Sequence, residues 1–127
     1  MEKTEIITQN APKPFGIFSQ GIKAGKFLFI SGQVAKDAVG QVIGKGDIKA
    51  QTRQCLENLK AVLQGGGATL EDVVKVTVFV ADIRHLNAIH EVRAEYFQKP
   101  YPASTLVEIS HFTDPHYLVE IEATAMI

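Results

Sequence analysis

Residues 73–80 read Val-Val-Lys-Val-Thr-Val-Phe-Val, the most strongly patterned stretch of this 127-residue sequence. β-branched residues dominate it, and apolar positions alternate with the others, which is typical of a strand with one buried face. The face expected to be buried consists of valines: Val74, Val76, Val78 and Val80. The other face carries Lys75, Thr77 and Phe79. The pattern therefore predicts a strand within a sheet that is covered on one side.

The segment after this strand predicts a helix and then another strand. Over residues 86–97, five residues recur roughly on one side of a helix: Leu86, Ile89, Arg93, Tyr96 and Phe97. Residues 105–109 then predict the next strand. A strand–helix–strand unit within one sheet requires a right-handed crossover.

A longer helix precedes the central strand. Asp47 is its expected N-cap, because its carboxylate can accept hydrogen bonds from the free amides of the first turn. The core face of this helix is predicted to comprise Ile48, Thr52, Cys55, Leu56, Leu59, Val62 and Leu63. Residues 65–67, Gly-Gly-Gly, follow the helix, whereas phosphate-binding loops precede one. We interpret the triple glycine as a helix stop and linker.

Further strands are predicted at residues 5–7, 17–22, 27–31, 41–43 and 118–126. A tight turn at Ala24-Gly25 joins the second and third of these, and the prolines of residues 10–15 predict a rigid loop. No linker or repeat divides the chain, so we expect a single domain over residues 1–127. The predicted class is α+β, with one mixed sheet backed by two helices.

The last strand has two different faces. Val119, Ile121, Ala123 and Ala125 suit the side covered by helices. The residues between them, Glu120, Glu122, Thr124 and Met126, leave the other sheet face open and acidic-polar. Such a face is either solvated or covered by another subunit.

The composition argues against several classes of protein. Thirteen Lys and Arg stand against fourteen Asp and Glu, so no concentrated positive charge is available for a nucleic-acid backbone or an anionic membrane. Cys55 is the single cysteine, which excludes an intrachain disulfide. The polar residues 1–5 do not resemble a signal peptide. We expect a cytoplasmic enzyme or binding protein that acts on a small molecule.

Six stretches, in their order along the chain, together resemble the Rid (YjgF/RidA, endoribonuclease L-PSP-like) family of imine and enamine deaminases. They are residues 16–21 (Gly-Ile-Phe-Ser-Gln-Gly), 29–33 (Phe-Ile-Ser-Gly-Gln), 50–59, 76–82, 101–108 and 120–123 (Glu-Ile-Glu-Ala). Each motif is weak alone, but the ordered set spans about residues 5–125 and is specific.

The resemblance implies a chorismate-mutase-like fold and a homotrimer with clefts between subunits. In the family, these clefts hydrolyse 2-iminobutanoate and 2-iminopropanoate to keto acids and ammonia without a metal or an organic cofactor. An arginine holds the substrate carboxylate, groups near a Ser-Gly turn fix the imine, and a glutamate handles the water. Matched residue by residue, Glu120 and Ser31 are the implied catalytic residues. The implied substrate-binding residues are Phe18, Gly32, His90, Ser104 and Thr105.

Three of these positions depart from the family pattern. Phe18 replaces a tyrosine, His90 replaces an asparagine, and Ser104 replaces the carboxylate-binding arginine. Loss of one partner of a buried charge pair costs about 2–5 kcal/mol, which is roughly thirty-fold to several-thousand-fold in affinity. Ser104 is expected to point into the cleft beside Thr105, facing groups near Phe18 and Ser31, and to favour neutral ligands.

Several alternatives stay open at this level. Glu120 is either a catalyst or one carboxylate of a polar sheet face, and Ser31 is either a substrate contact or a turn-capping hydroxyl. Arg84 and Arg93 are either substitutes for the missing arginine or ordinary solvated or paired arginines.

Other functions are weighed on the same residues. The histidines lack the spacing of a zinc site, and Cys55 is expected to pack as a small hydrophobe. The alternative to a deaminase is a non-catalytic ligand-binding or protein-protective trimer. An RNA-directed function is disfavoured by the charge balance.

Overall fold

A computed structural model describes residues 2–127 and shows six strands in one sheet with two α-helices. In chain order the elements are β1 Lys3–Ile6, β2 Gly21–Ala24, β3 Phe27–Val34, α1 Ile48–Gly65, β4 Val73–Val80, α2 Leu86–Tyr96, β5 Ala103–Glu108 and β6 Val119–Met126. The strand order across the sheet is β1-β2-β3-β6-β4-β5. β4 and β5 run parallel and the other neighbours are antiparallel. The predicted α+β class with a mixed sheet and two helices is confirmed.

The core lies between the sheet and the two helices, and most of its residues follow the predicted pattern. Val119, Ile121, Ala123 and Ala125 of β6 are buried, as expected for the helix-covered face. Six of the seven residues predicted for the core face of α1 are buried, and Ile48 packs against the core at its edge. The Asp47 carboxylate accepts a hydrogen bond from the amide of Ala50 at 3.1 Å, which confirms the predicted N-cap.

The central strand differs from its prediction at one end. The register between β4 and β6 shifts between Val73 and Lys75, so Val74 is the extra residue of a β-bulge. Val74 is 42% exposed and Val73 is buried in its place. The expectation that Val74 belongs to the buried face is wrong, because two consecutive valines give no signal of where the alternation slips.

Other boundaries also move. The strand predicted at residues 17–22 begins only at Gly21, and the strand predicted at 41–43 is reduced to one bridge between Lys36 and Val42. In α2, Val92 takes the fully buried position, while Arg93 lies beside it, partly exposed. Neither helix of the described chain is long and apolar enough to cross a membrane.

Candidate functional site

The Ser31-Gly32 turn is a β-bulge next to Glu120. In the pairing of β3 with β6, Ile30 faces Ala123 and Gln33 faces Ile121, so Ser31 and Gly32 together lie opposite the single residue between them on β6. A Cβ on Gly32 would overlap the Oε2 atom of Glu120. Glycine at this position therefore makes room for the carboxylate, which lies on the sheet face that the helices leave open.

The hydrogen bonds of Ser31 fix the direction of its hydroxyl. Its Oγ donates to the carbonyl of Ser19 at 2.6 Å, and its amide donates to the carbonyl of Gln20 at 3.0 Å. With its hydrogen engaged in this way, the hydroxyl oxygen offers lone pairs to a water or substrate N–H. Phe18 lies next to Ser19 in the loop before β2. Its ring is exposed and packs edge-to-face against Phe15, with ring centroids 5.6 Å apart.

The Glu120 carboxylate is half-buried, and its pKa is raised. Burial is the main cause, because the charged form loses hydration, and the nearby charge of Glu122 adds to the effect. None of the ion pairs within residues 2–127 involves Glu120. A glutamate with a raised pKa is a stronger base than an ordinary one, which suits it to accept a proton from water.

A second group of predicted residues lines a cavity between α2 and β5. His90, Arg93 and Ser104 all face this cavity of about 470 Å³. The Nη2 of Arg93 donates a hydrogen bond to Ser104 Oγ at 2.9 Å. The remaining wall is largely apolar and consists of Leu86, Ala94, Phe97, Tyr101, Pro102 and Leu106. Sequence spacing did not reveal that the Arg93 guanidinium reaches β5.

Ser104 and Thr105 project to opposite sides of β5, as neighbouring strand residues do. Ser104 contacts Arg93, whereas Thr105 Oγ1 accepts a hydrogen bond from Lys75 Nζ at 3.2 Å. Ser104 and Thr105 therefore face different sides of the sheet within one chain, and the expected place of Ser104 in a cleft between subunits stays a prediction. Glu120 and Gly32 lie on the open face, so the predicted site residues form two separate groups.

Arg84 is held away from both groups. It makes an exposed ion pair with Asp82, with Nη2 and Oδ2 2.7 Å apart, and its hydrogen bonds lower the pKa of Asp82 to about 2. Of the two alternatives for Arg84, a substitute for the missing arginine or an ordinary paired arginine, the structure supports the second. Cys55 is buried, its Sγ contacts the carbonyl of Val119, and burial raises the pKa of its thiol, in agreement with the expected packing role. Over residues 2–127, no three His, Cys, Asp or Glu side chains cluster as a metal site would require.

Three buried side-chain amides support the site and were missed from the sequence. Gln20 bonds the backbone of the loop that carries Phe18, through the carbonyls of Thr8 and Pro12 at 3.0 Å each. Gln51 and Asn58 of α1 bond the backbone before β6 and at the end of β3. Polar residues beside apolar core positions of a helix are the signal that could have found the last two.

Comparisons with known proteins agree with this architecture. Residues 8–127 match the family model described as Endoribonuclease L-PSP. A RutC family protein of Pyrococcus horikoshii is 52% identical, with 97% of each chain covered. The 2-iminobutanoate/2-iminopropanoate deaminase of Salmonella typhimurium is 36% identical over 99% of this chain and 98% of its own.

A solved structure extends the agreement to three dimensions. The crystal structure of YyfA from Yersinia pestis, described as a conserved Rid family protein of unknown function, has a TM-score of 0.94 at 37% identity. It covers 99% of this chain and 100% of its own. The fold is therefore the chorismate-mutase-like fold that the sequence motifs implied. With motifs, sheet topology and relatives in agreement over nearly its whole length, this chain belongs to the Rid (endoribonuclease L-PSP) family.

Proposed function

We propose that this protein is a Rid-type hydrolase that acts on small reactive imines or enamines and releases ammonia. The observation that carries the proposal is the half-buried Glu120 carboxylate, with its raised pKa, packed against Gly32 beside the Ser31 hydroxyl. The deaminase name of the Salmonella typhimurium relative supports the reaction type. The balance of 13 cationic against 14 anionic side chains favours a small molecule over an RNA backbone as substrate.

The chemistry follows from the two groups at the Ser-Gly bulge. Glu120 accepts a proton from a water as the water oxygen bonds to the imine carbon. Glu120 returns this proton to the imine nitrogen, which gives a carbinolamine. Glu120 then takes the hydroxyl proton and passes it to the nitrogen as the carbon–nitrogen bond breaks, which yields a keto acid and ammonia. Ser31 Oγ orients the imine N–H or the water through its lone pairs. The proposed substrates include 2-iminobutanoate and 2-iminopropanoate. We also propose a cytoplasmic location, which agrees with the free, buried thiol of Cys55.

The proposed site is completed between subunits. Glu120 and Gly32 lie on the open face, and Arg93 and Ser104 lie on the helix side of β5, so a second copy must bring the two groups together. The open face is not only acidic: Phe27, Phe29 and Met126 are 43%, 49% and 48% exposed there. Such apolar exposure favours coverage by another subunit over solvation. We therefore propose a homotrimer with one cleft between each pair of neighbours.

An assay with 2-iminobutanoate generated in place tests the proposed function. We expect the protein to accelerate the disappearance of the imine. We expect Glu120→Gln to retain the fold but to lose about 10²–10⁴-fold in rate, because an amide does not take the proton from water. The absence of acceleration by the wild-type protein would refute the hydrolase function, and an unchanged rate in Glu120→Gln would return Glu120 to a polar sheet face.

Ser104 and Phe18 favour one second candidate, a trimer that binds small ligands without turnover. Both side chains lack a group that the active relatives are expected to have, the guanidinium and the phenol hydroxyl. This candidate predicts saturable ligand binding with no ammonia release. Measurement of ammonia in the same assay separates the two functions.

A further inference from the structure

Arg93 is a partly buried cation that has no carboxylate partner within residues 2–127. The chain has three arginines. Arg53 pairs with Glu95 and Arg84 with Asp82, and hydrogen bonds to these carboxylates raise the pKa of both arginines. The pKa of Arg93 is lowered instead, by burial alone, since no carboxylate within residues 2–127 offsets the loss of water.

The position of the Arg93 guanidinium also favours a role in ligand binding. It reaches the side chain of Ser104, the strand position at which the family motif has its arginine. A serine is small enough to leave that space to a side chain arriving from α2. The hydrogen bond to Ser104 Oγ uses one of the five N–H donors of the guanidinium, and the others are left for a ligand.

The cavity has the size and lining of a small-ligand site. Its volume of about 470 Å³ lies within the range of such sites, roughly 300–1,000 Å³. Arg93 provides a fixed charge, and His90, one helical turn earlier, provides a second polar group. The side chains of Leu86, Phe97 and Leu106 provide apolar contact for a short carbon chain.

We propose that Arg93 binds the carboxylate of a small 2-imino or 2-keto acid in this cavity, so that α2 supplies the cation that β5 lacks. The inference rests on the proposed function for the kind of acid. A planar guanidinium binds a carboxylate through two parallel hydrogen bonds, and Ser104 Oγ holds the fork in place. The cavity then selects carboxylates, in contrast to the neutral ligands that the serine alone suggested.

Calorimetry with 2-ketobutyrate tests the proposal without any turnover. We expect the wild-type protein to bind the keto acid and Arg93→Ala to bind at least about thirty-fold more weakly. Arg93→Lys should recover part of the affinity, since an ammonium keeps the charge but not the bidentate geometry. Arg84→Ala is the matched control and should leave the affinity unchanged, because that arginine is exposed and paired with Asp82.

A variant in which the arginine is moved from α2 to β5 provides a second test of the proposal. The double variant Arg93→Ser with Ser104→Arg moves the guanidinium from α2 to β5, and we expect it to regain most of the affinity that Arg93→Ser alone loses. Thermal unfolding of each variant checks that the fold is intact. The neutral analogue 2-butanone should be insensitive to all of these substitutions.

Two outcomes would overturn the proposal. Either the wild-type protein does not bind 2-ketobutyrate, or Arg93→Ala binds it as tightly as the wild type does. If Arg93 instead pairs with Glu120 of a neighbouring copy, Arg93→Ala will weaken the assembly and leave the affinity for keto acid unchanged. The two proposals can fail separately. If the wild-type protein binds 2-ketobutyrate but does not hydrolyse imines, and Arg93→Ala no longer binds the keto acid, the hydrolase function is refuted and the binding site at Arg93 is supported.

Discussion

Glu120 and Arg93 are two partly buried charges that no residue of the described chain neutralises. The loss of water shifts both toward their neutral forms, upward for the pKa of Glu120 and downward for that of Arg93. Unpaired buried charges reduce stability, so their retention points to a use in binding or chemistry. One is suited to handle a proton and the other to hold an anion, and hydrolysis of an imino acid needs both.

Neutralisation of Glu122 should change the pH dependence of the reaction. Ionised Glu120 is the active form, so the turnover rate falls as the pH drops through the raised pKa of Glu120. Glu122→Gln removes the neighbouring negative charge, lowers the pKa of Glu120 and moves this acid limb to lower pH. Burial remains the larger cause, so the shift is partial. Rate profiles measured from acid to neutral pH give the comparison.

Glu71→Gln is the control for this experiment. Glu71 is an exposed carboxylate in the 3-10 turn before β4, away from the open face, and its neutralisation should leave the acid limb where it is. A limb that stays unmoved in Glu122→Gln, or that moves to higher pH, contradicts the assignment of Glu120 as the base.

The sequence pointed to candidate residues in both groups, but it left Arg93 open. Glu120, Ser31 and Gly32, like His90 and Ser104, were implied by their positions in the motifs that resemble the family. Arg93 stayed ambiguous because the reach of a long side chain from α2 to β5 depends on how the crossover packs. Periodicity places a residue on a helix face, but it does not tell where a flexible guanidinium ends.

At the level of elements, two β-bulges and the amides of α1 shape the central strands of the sheet. The bulges at Val74 and at Ser31-Gly32 interrupt the strict alternation on which strand prediction depends. For this reason the strand at residues 73–80 was predicted correctly and the face of Val74 was not. Gln51 bonds the chain just before β6 and Asn58 bonds the end of β3, and these two segments meet where Val34 pairs with Glu120, which ties the helix to the position of Glu120.

Gln51→Ala should destabilise the fold through the backbone before β6. The Gln51 amide bonds the carbonyl of His116 at 2.7 Å and accepts from the amide of Leu118 at 2.8 Å. Its removal leaves these groups without partners, at a cost of about 2–4 kcal/mol in the free energy of unfolding. Urea unfolding at one fixed protein concentration measures it. The exposed Gln64→Ala should change the value by less than about 0.5 kcal/mol, and equal effects in both variants would contradict the argument.

At the level of the whole molecule, one chain carries two separate groups of candidate site residues. The class of fold followed from the chain itself, since strand and helix periods and their order leave few arrangements. The assembly did not, because nothing in a single chain fixes the number of copies. The homotrimer was implied by the family resemblance, and the last strand added a hint through polar residues on a face that the helices leave uncovered.

The proposed trimer can be tested by measuring its mass and by introducing one charged residue on the open face. Light scattering over a concentration series should give about 42 kDa, three chains of 13.9 kDa. Phe29 is 49% exposed on β3, and Phe29→Glu should dissociate the assembly, because a carboxylate buried at an interface without a cation is strongly unfavourable. Val39→Glu, on an exposed turn away from the sheet, should leave the mass unchanged. A monomer or dimer mass for the wild-type protein contradicts the trimer, and an intact trimer in Phe29→Glu places the interface elsewhere.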